Sequence, residues 1–459
     1  MDCLEKVKQF NPVDMVYDSR EVGEGYLFFA LKGFNVDANR FVPDLLKRFK
    51  KILVISEKEF DDERCVRVDD IKGCMGIVAD WFFNHPSKKL KVVGITGTNG
   101  KTTTTYLLKS IFEDGEIIGT TGWTIKDERF KLKNTTPESI DLHRILNRMA
   151  LAGSKYCFAE VSSHAISLRR IEGIEFALKV FTNISQDHLD FYGTLENYAQ
   201  AKLSFFERLK PKVVNIDDEW GKRIVDAATI SYGFSEMAFI RPVVYEYSLD
   251  GIRAKINAFG RLFDIKSSMI GEYNLYNIMA AIGVAYFFGV DFAKIEEGVA
   301  KSKGAPGRLE FYSKDGVYAV IDYAHTDDAM RNVLEALNRI KKGRIITVFG
   351  AGGDRDKGKR PKMGAVAERL SDIVVITSDN PRSEEPEAII NDILSGVKDK
   401  EKVVVEPDRF EAIKKALEIA QKGDIVAILG KGHEDYQILK DRTIHFDDAE
   451  VVRELWGLA

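Results

Sequence analysis

Val92-Val93-Gly94-Ile95-Thr96-Gly97-Thr98-Asn99-Gly100-Lys101-Thr102-Thr103-Thr104-Thr105 decides the fold of this chain. The stretch opens apolar and β-branched, carries glycines in its middle, and runs into Tyr106, Leu107, Leu108, Ile111 and Phe112 at helical spacing. That order predicts strand, phosphate loop, helix. Glycines let backbone N–H groups turn inward on a polyphosphate, and a helix N-terminus adds partial positive charge. Lys101 is suited to neutralise phosphate oxygens and the Thr102 hydroxyl to ligate Mg²⁺. A nucleotide site is therefore expected at Gly97, Thr98, Asn99, Gly100, Lys101, Thr102 and Thr103. The strict phosphate-loop spacing asks for a glycine where Ile95 stands, and Gly97 takes over that place. The plainer alternative is a glycine turn before an ordinary helix, but Gly-Lys-Thr behind a β-type run is uncommon by chance.

Working outward, 459 residues exceed what one core usually serves, so two or three domains are expected. With 45% apolar residues the chain can fill those cores. Charged residues make up 30%, yet the net charge is only -4, so no strong field invites nucleic acid or a membrane surface. Small acidic substrates then need local basic sites. Cys3, Cys65, Cys74 and Cys157 lie far apart without a CxxC pair, which argues against a disulfide framework or a zinc site and fits a reducing cytosol. The start of the chain, with Asp2 and Glu5, does not read as a signal peptide. The longest apolar segment, 278–290, is too short to span a bilayer and reads as a buried helix.

The pattern divides into three α/β domains, at 1–88, 89–306 and 307–459. The first is small and mixed, with strands at 26–31 and 51–55, a helix at 42–49, and a linker at 84–87. The second alternates apolar strands and helices, which predicts a mostly parallel sheet covered on both faces. Within it, Asn134-Thr135-Thr136-Pro137 reads as a polar turn before a helix at 139–149. Glu160-Val161-Ser162-Ser163-His164 follows the run 156–159, placing Glu160 at the carboxyl end of a strand, where doubly wound sheets gather ligands. Thr182 to Asp190 follows the run 179–181 and contains His188. A carboxylate and an imidazole on neighbouring strand ends, beside a loop that implies Mg²⁺, suit a second metal position. Lys202, taken alone, reads as a helix-surface lysine. Asn274 and Asn277 share a face of a helix that ends near Gly289. The third domain is Rossmann-like, with strands at 318–323, 344–349, 373–377, 402–406 and 424–429. Loops 352–361, 378–382 and 430–435 each follow one of these strands; singly they are charged surface loops, together a convergent site.

These motifs, in this order, resemble the Mur ligases of the MurE type. Thr-Gly-Thr-Asn-Gly-Lys-Thr, Asn-Thr-Thr-Pro, Glu-Val-Ser-Ser-His and Asp-His-Leu-Asp carry the likeness, and Asp18-Ser19-Arg20 with Gly25-Tyr26-Leu27-Phe28 and Gly33 resembles the family's uridine-diphosphate-binding first domain. The resemblance implies an ATP-dependent amide ligase working through an acyl phosphate, with Lys101, Glu160, His188 and Lys202 as its catalytic set. It implies Mg²⁺ held by Glu160 and His188, with Thr102 near the ATP-side metal, and Lys202 carbamylated to N6-carboxylysine as a further ligand. It assigns Ser19, Thr135, Thr136, Ser162 and Arg170 to the UDP-N-acetylmuramoyl-dipeptide, and Asn274, Asn277, Arg308 and Asp322 to ATP. In this family Asp-Asn-Pro-Arg, here Asp379 to Arg382, marks enzymes that add meso-2,6-diaminopimelate rather than L-lysine. The chemistry agrees, because diaminopimelate has a second amino-acid head whose carboxylate an arginine fork can bind. Arg355 and Arg382 would grip that carboxylate, while Asp379, Asn380, Glu434 and the Gly430 carbonyl sort the distal amine.

Small-molecule partners only, a monomer and a cytoplasmic location are expected, and placing ATP and amino acid on one domain with the UDP-substrate and phosphate loop on others implies hinge closure. Leu168 stands where some relatives have Gln, and Asp327 where Pro is usual. An L-lysine-adding ligase remains the competing reading. A folylpolyglutamate synthetase shares the ATP loop but gives no reason for the 379–382 loop. A silent ATP-binding scaffold would predict loss of Lys101, Glu160, His188 or Lys202, and all are present.

Overall fold

The computed structural model describes residues 3–33, 36–126 and 128–458, without the Asp190 side chain. Asp2, and the side chain that closes the Asp-His-Leu-Asp motif, thus lie outside the described residues. The chain forms two compact units, Met1–Ile240 with Met279–Val290, and Arg241–Ile278 with Asp291–Ala459.

The first unit holds two sheets. The smaller is parallel and runs Met15–Val16, Tyr26–Phe29, Ile52–Ser56, Cys65–Arg67 in spatial order. Leu27, Phe29, Leu53 and Ile55 pack on one side and Phe28, Val42 and Val54 on the other, so both faces are buried and the strands read as apolar runs rather than alternations. The helix predicted at 42–49 forms at Val42–Arg48. Two sequence expectations need correction here. The 84–87 linker enters a short helix, Pro86–Lys89, through Asn84 and His85 at positive φ, because His85 Nδ1 sits 2.6 Å from Asp80 Oδ2. Cys3 and Cys74 form a disulfide joining the helices Cys3–Phe10 and Ile71–Phe82, although their spacing in sequence gives no such signal.

The larger sheet of this unit runs Thr229–Tyr232, Lys212–Asn215, Phe176–Phe181, Lys91–Thr96, Tyr156–Glu160, Gly115–Gly119, Gly122–Ile125, Glu128–Phe130. Pairing is parallel as far as Gly115–Gly119 and antiparallel beyond it. The phosphate-loop strand is central, and Val92, Val93 and Ile95 are buried, each contributing about 1.5–3 kcal/mol. Its register with its neighbours, Phe181↔Thr96 and Ile95↔Glu160, brings three loops to one carboxyl edge. Those loops begin at Gly97, Val161 and Thr182, and a doubly wound sheet collects its ligands at that edge.

The second unit contains the antiparallel pair Gly251–Ala258 and Arg261–Ser267 and a six-stranded sheet. The sheet order is Glu310–Lys314, Val317–Asp322, Ile425–Leu429, Ile345–Phe349, Ile373–Ile376, Val403–Val405. All pairs are parallel except the first. The five parallel strands are those read from sequence. The edge strand Glu310–Lys314 and the hairpin Tyr436–Ile438 with Thr443–His445 were not, since each is short and lacks an apolar run. Helices cover both faces, with separate cores on each. Among the described residues no helix is long and apolar enough to cross a membrane.

Candidate functional site

In the first unit the site is built on the loop after Thr96. Gly97 has φ +149°, and a Cβ there would lie 1.9 Å from Thr182 Oγ1, so only glycine lets the loop lie against the neighbouring strand end. That strand end holds the loop in turn. Thr98 N donates to Asn183 O at 2.8 Å, Asn99 N to Asn183 Oδ1 at 3.0 Å, and Thr182 Oγ1 to Asn99 O at 2.6 Å. Lys101 Nζ lies across the loop, donating to Gly97 O and Thr98 O at 2.9 Å each. The helix Lys101–Ile111 starts from Gly100 at φ +86°, with Thr102 and Thr103 buried in its first turn.

Lys202 is not on a surface. It is 1% exposed, its Nζ donates to Gly97 O at 2.9 Å, and it sits 4.9 Å from the Tyr198 ring centre. Burial first, and the Lys101 charge second, hold its pKa well below that of an ordinary lysine. This corrects the reading of Lys202 as a surface residue; helical periodicity alone did not distinguish its face. Tyr198 meets Thr98 Oγ1 at 3.1 Å and stands 6.0 Å, ring to ring, from His188. His188 is partly exposed at φ +53°, its ring 4.7 Å from that of His164. Glu160 is fully buried at its strand end, accepting from Thr120 N at 2.9 Å and Thr120 Oγ1 at 3.1 Å.

Among the described residues no group of three or more His, Cys, Asp or Glu side chains converges as a ready metal shell. The donor chemistry nevertheless fits Mg²⁺. Glu160 offers a buried carboxylate held by an amide and a hydroxyl, and burial holds the Lys202 amine well below its ordinary pKa, which suits reaction with CO₂ to give a second carboxylate.

A second cluster grows from Glu160. Thr136 Oγ1 donates to Glu160 O at 2.8 Å, Ser162 N donates to Thr136 Oγ1 at 3.1 Å, and Arg170 Nη1 donates to Thr136 O at 3.2 Å. Thr120 Oγ1 meets Thr135 Oγ1 at 3.1 Å. Thr136, Ser162 and Arg170 are thus joined directly, and Thr135 through Thr120 and Glu160; nothing in the sequence singled out Thr120. Ser162 also caps the helix Ser163–Ser167, and Leu168 follows that helix half-buried. Ser19 is not hydrogen-bonded to this cluster among the described residues, but its stretch is tied to the helix after Pro137. Tyr17 OH donates to Asp141 Oδ2 at 2.6 Å, and Arg144 Nη2 lies 3.1 Å from Asp14 Oδ1.

In the second unit, three strand-end loops form one network. Asn380 Nδ2 donates to Asp379 Oδ1 at 3.0 Å and to Glu434 Oε2 at 2.9 Å, while Asn380 Oδ1 accepts from Ile438 N at 2.9 Å. Arg382 Nη1 donates to Gly353 O at 2.8 Å. Lys431, fully buried, places Nζ 3.5 Å from Glu434 Oε2 and 4.0 Å from Asp379 Oδ1. The sequence reading missed its role, although it lies inside the 430–435 loop. Burial raises the Glu434 pKa. Arg360, also fully buried, donates to Gly352 O at 3.1 Å and pairs with Glu384 and Asp392, pinning the first loop. Arg355 is exposed on that loop.

Arg308 directly follows Gly307, whose carbonyl accepts from Tyr323 N, next to Asp322, at 3.0 Å. Arg308 stacks 4.8 Å over the Tyr323 ring centre, and Asp322 accepts from Leu309 N at 2.8 Å and Ala324 N at 2.9 Å, with its pKa raised by burial. Gly307, at φ +63°, passes so near Gly432 that a Cβ would meet it at 2.1 Å. Asn274 and Asn277 are buried, Asn274 Nδ2 donating to Ile270 O at 2.8 Å and Asn277 Nδ2 to Asn274 Oδ1 at 3.0 Å. Asp327 opens the helix Asp327–Ile340 behind the Thr326 cap, where a carboxylate suits the helix dipole as proline suits the geometry.

The Mur ligase middle domain family matches residues 95–285, and the Mur ligase, glutamate ligase domain family matches residues 307–432. The chain is 42% identical, over 95% of its length and 93% of the relative's, to UDP-N-acetylmuramoyl-L-alanyl-D-glutamate--2,6-diaminopimelate ligase 1 of Clostridium acetobutylicum. A solved structure of a ligase of that same name matches with TM-score 0.72 and 33% identity, over 97% of this chain and 95% of that one. The MurF ligase of Thermotoga maritima, solved in complex with ADP, shares the fold at TM-score 0.61 and 24% identity, over 94% of this chain and 95% of that one.

Proposed function

The chain belongs to the Mur ligase family, and on that premise we propose that it is an ATP-dependent amide ligase of peptidoglycan precursor synthesis. It joins meso-2,6-diaminopimelate to the D-Glu carboxylate of UDP-N-acetylmuramoyl-L-Ala-D-Glu, giving the UDP-N-acetylmuramoyl-tripeptide, ADP and phosphate. The observation that carries the choice of amino acid is the network of Asp379, Asn380, Arg382 and Glu434, in which acids and an arginine face one region from separate strand ends. A second amino-acid head needs both signs of charge there.

In this reading Lys101 and the amides of Gly97 to Thr103 bind the polyphosphate and neutralise it as the glutamyl carboxylate oxygen attacks the γ-phosphorus and ADP leaves. The acceptor amine then attacks the acyl phosphate carbonyl, loses a proton and expels phosphate. Thr135, Thr136, Ser162, Arg170 and Ser19 bind the UDP-substrate, and Arg355, Arg382, Asp379, Asn380, Glu434 and the Gly430 carbonyl orient the acceptor. Asn274, Asn277, Arg308 and Asp322 serve ATP. Mg²⁺, held by Thr102, Glu160, His188 and carbamylated Lys202, would supply charge neutralisation at the phosphoryl oxygens. Three functional domains, 1–88 for the UDP-substrate, 89–306 for ATP and 307–459 for the amino acid, complete the reading, with a cytoplasmic monomer as the working form.

The test is phosphate release with ATP, Mg²⁺, UDP-N-acetylmuramoyl-L-Ala-D-Glu and meso-diaminopimelate, each omitted in turn. Release that needs all four supports the ligase. Release without either acceptor or UDP-substrate contradicts it.

A further inference from the structure

We propose that the buried pair Arg409–Asp448 is a positioning device for the acceptor site, holding in register the two strand ends that carry Asp379 to Arg382 and Gly430 to Glu434. Arg409 is 2% exposed and Asp448 0%. Their bond is bidentate, with Nε to Asp448 Oδ1 and Nη2 to Asp448 Oδ2 both at 2.7 Å. The guanidinium then spends its other donors on two carbonyls, Nη1 on Ser378 O at 3.3 Å and Nη2 on Leu429 O at 3.2 Å. Ser378 is the residue before Asp379, and Leu429 the residue before Gly430.

The strands ending there are not neighbours, because Ile345–Phe349 lies between Ile373–Ile376 and Ile425–Leu429. No ladder hydrogen bond therefore joins the two ends directly; each pairs with Phe349 between them, across a gap of about two strand spacings, roughly 9–10 Å. Arg409 bridges that gap through its bonds to the two carbonyls. The Asn380–Glu434 bond, at 2.9 Å, crosses it from the site side. A shift of either strand end would break the second bond and separate Glu434 from Asp379, Asn380 and Arg382. Stability alone does not account for the pair, since a buried ion pair is often replaced by apolar side chains without loss. Its distinctive product is the spacing of two carbonyls.

The acceptor role of residues 379–382 and 430–434 rests on the function proposed above, so the test separates the two. Arg409→Lys keeps the charge and loses the fork. Arg409→Met combined with Asp448→Leu removes both charges and keeps the volume. Both are assayed for kcat and for the KM of each substrate, with hydrogen exchange of residues 379–382 and 430–434 followed without ligand. The expected result is a KM for diaminopimelate raised about 10–100-fold, the KM values for ATP and UDP-substrate within about twofold, and faster exchange confined to those loops. Unchanged KM and exchange in either folded variant would overturn the proposal. So would a uniform loss of active protein, which is the mark of a merely structural pair. If the wild type does not use diaminopimelate, the functional reading fails, while the exchange measurement still decides whether Arg409 holds the two strand ends.

Discussion

Lys202 Nζ donates a 2.9 Å hydrogen bond to the carbonyl of Gly97, so a lysine from a distant helix sits buried beneath the phosphate loop. An amine desolvated there, with Lys101 adding positive charge, favours its neutral form. The expected consequence is a carbamate at Lys202. With ¹³C-bicarbonate the protein should give a carbamate resonance that vanishes in Lys202→Gln, together with an activity loss of about 100-fold. An identical spectrum in the variant would refute the modification.

Gly97→Ala should damage the loop by sterics rather than charge. The added Cβ would lie 1.9 Å from Thr182 Oγ1, the hydroxyl that anchors Asn99 O. Thermal unfolding should report a loss of about 1–3 kcal/mol, and calorimetry weaker nucleotide binding. Wild-type affinity in the variant would mean that the loop does not depend on this close approach.

Much of this was legible beforehand, for identifiable reasons. The strand before Gly97 and the five parallel strands of the second unit are buried on both faces, so they write themselves as apolar runs. Glu160 at the end of Tyr156–Glu160, and the loop after Ile373–Ile376 that carries Asn380, were legible as strand ends, where such sheets gather ligands. What stayed hidden depends on tertiary partners. Lys202 has an ordinary helical context, and its burial comes with tertiary partners, the Gly97 carbonyl and the Tyr198 ring among them. Arg360 and Arg409 look like surface charges until Glu384 and Asp448 are folded against them. The Cys3–Cys74 bond spans a sequence separation of 71 and left no local pattern.

Arg382→Ala removes the donor to Gly353 O and, on the proposed reading, the fork for the distal carboxylate. Charged hydrogen bonds of this kind are worth about 1.5–3 kcal/mol, so kcat/KM for diaminopimelate should fall about 10–100-fold. The KM for ATP should stay near wild type. Equal losses for both substrates would place Arg382 in the fold rather than the site.

Acid should weaken the second unit through Glu384. Arg360 first, then the Asp354 N–H, hold its carboxyl down to about 2 from the ordinary 4.5. A carboxyl depressed on folding adds stability that is complete above its unfolded pKa and is lost as pH falls through the folded value. Between about pH 4.5 and 2, wild type should therefore lose stability more steeply than Glu384→Gln, read as the urea midpoint against pH. Parallel curves would show that the pair contributes nothing in that window.

On the proposed function the strand-end network selects a two-headed amino acid, and acceptor competition tests that selection. Phosphate release would be measured with ATP, Mg²⁺ and UDP-N-acetylmuramoyl-L-Ala-D-Glu, offering meso-diaminopimelate and L-lysine in separate reactions. Diaminopimelate should be favoured at least about 100-fold in kcat/KM, since a site built to bind a group rejects the analogue that lacks it. Equal turnover, or lysine winning, would contradict the role given to Asp379, Asn380, Arg382 and Glu434.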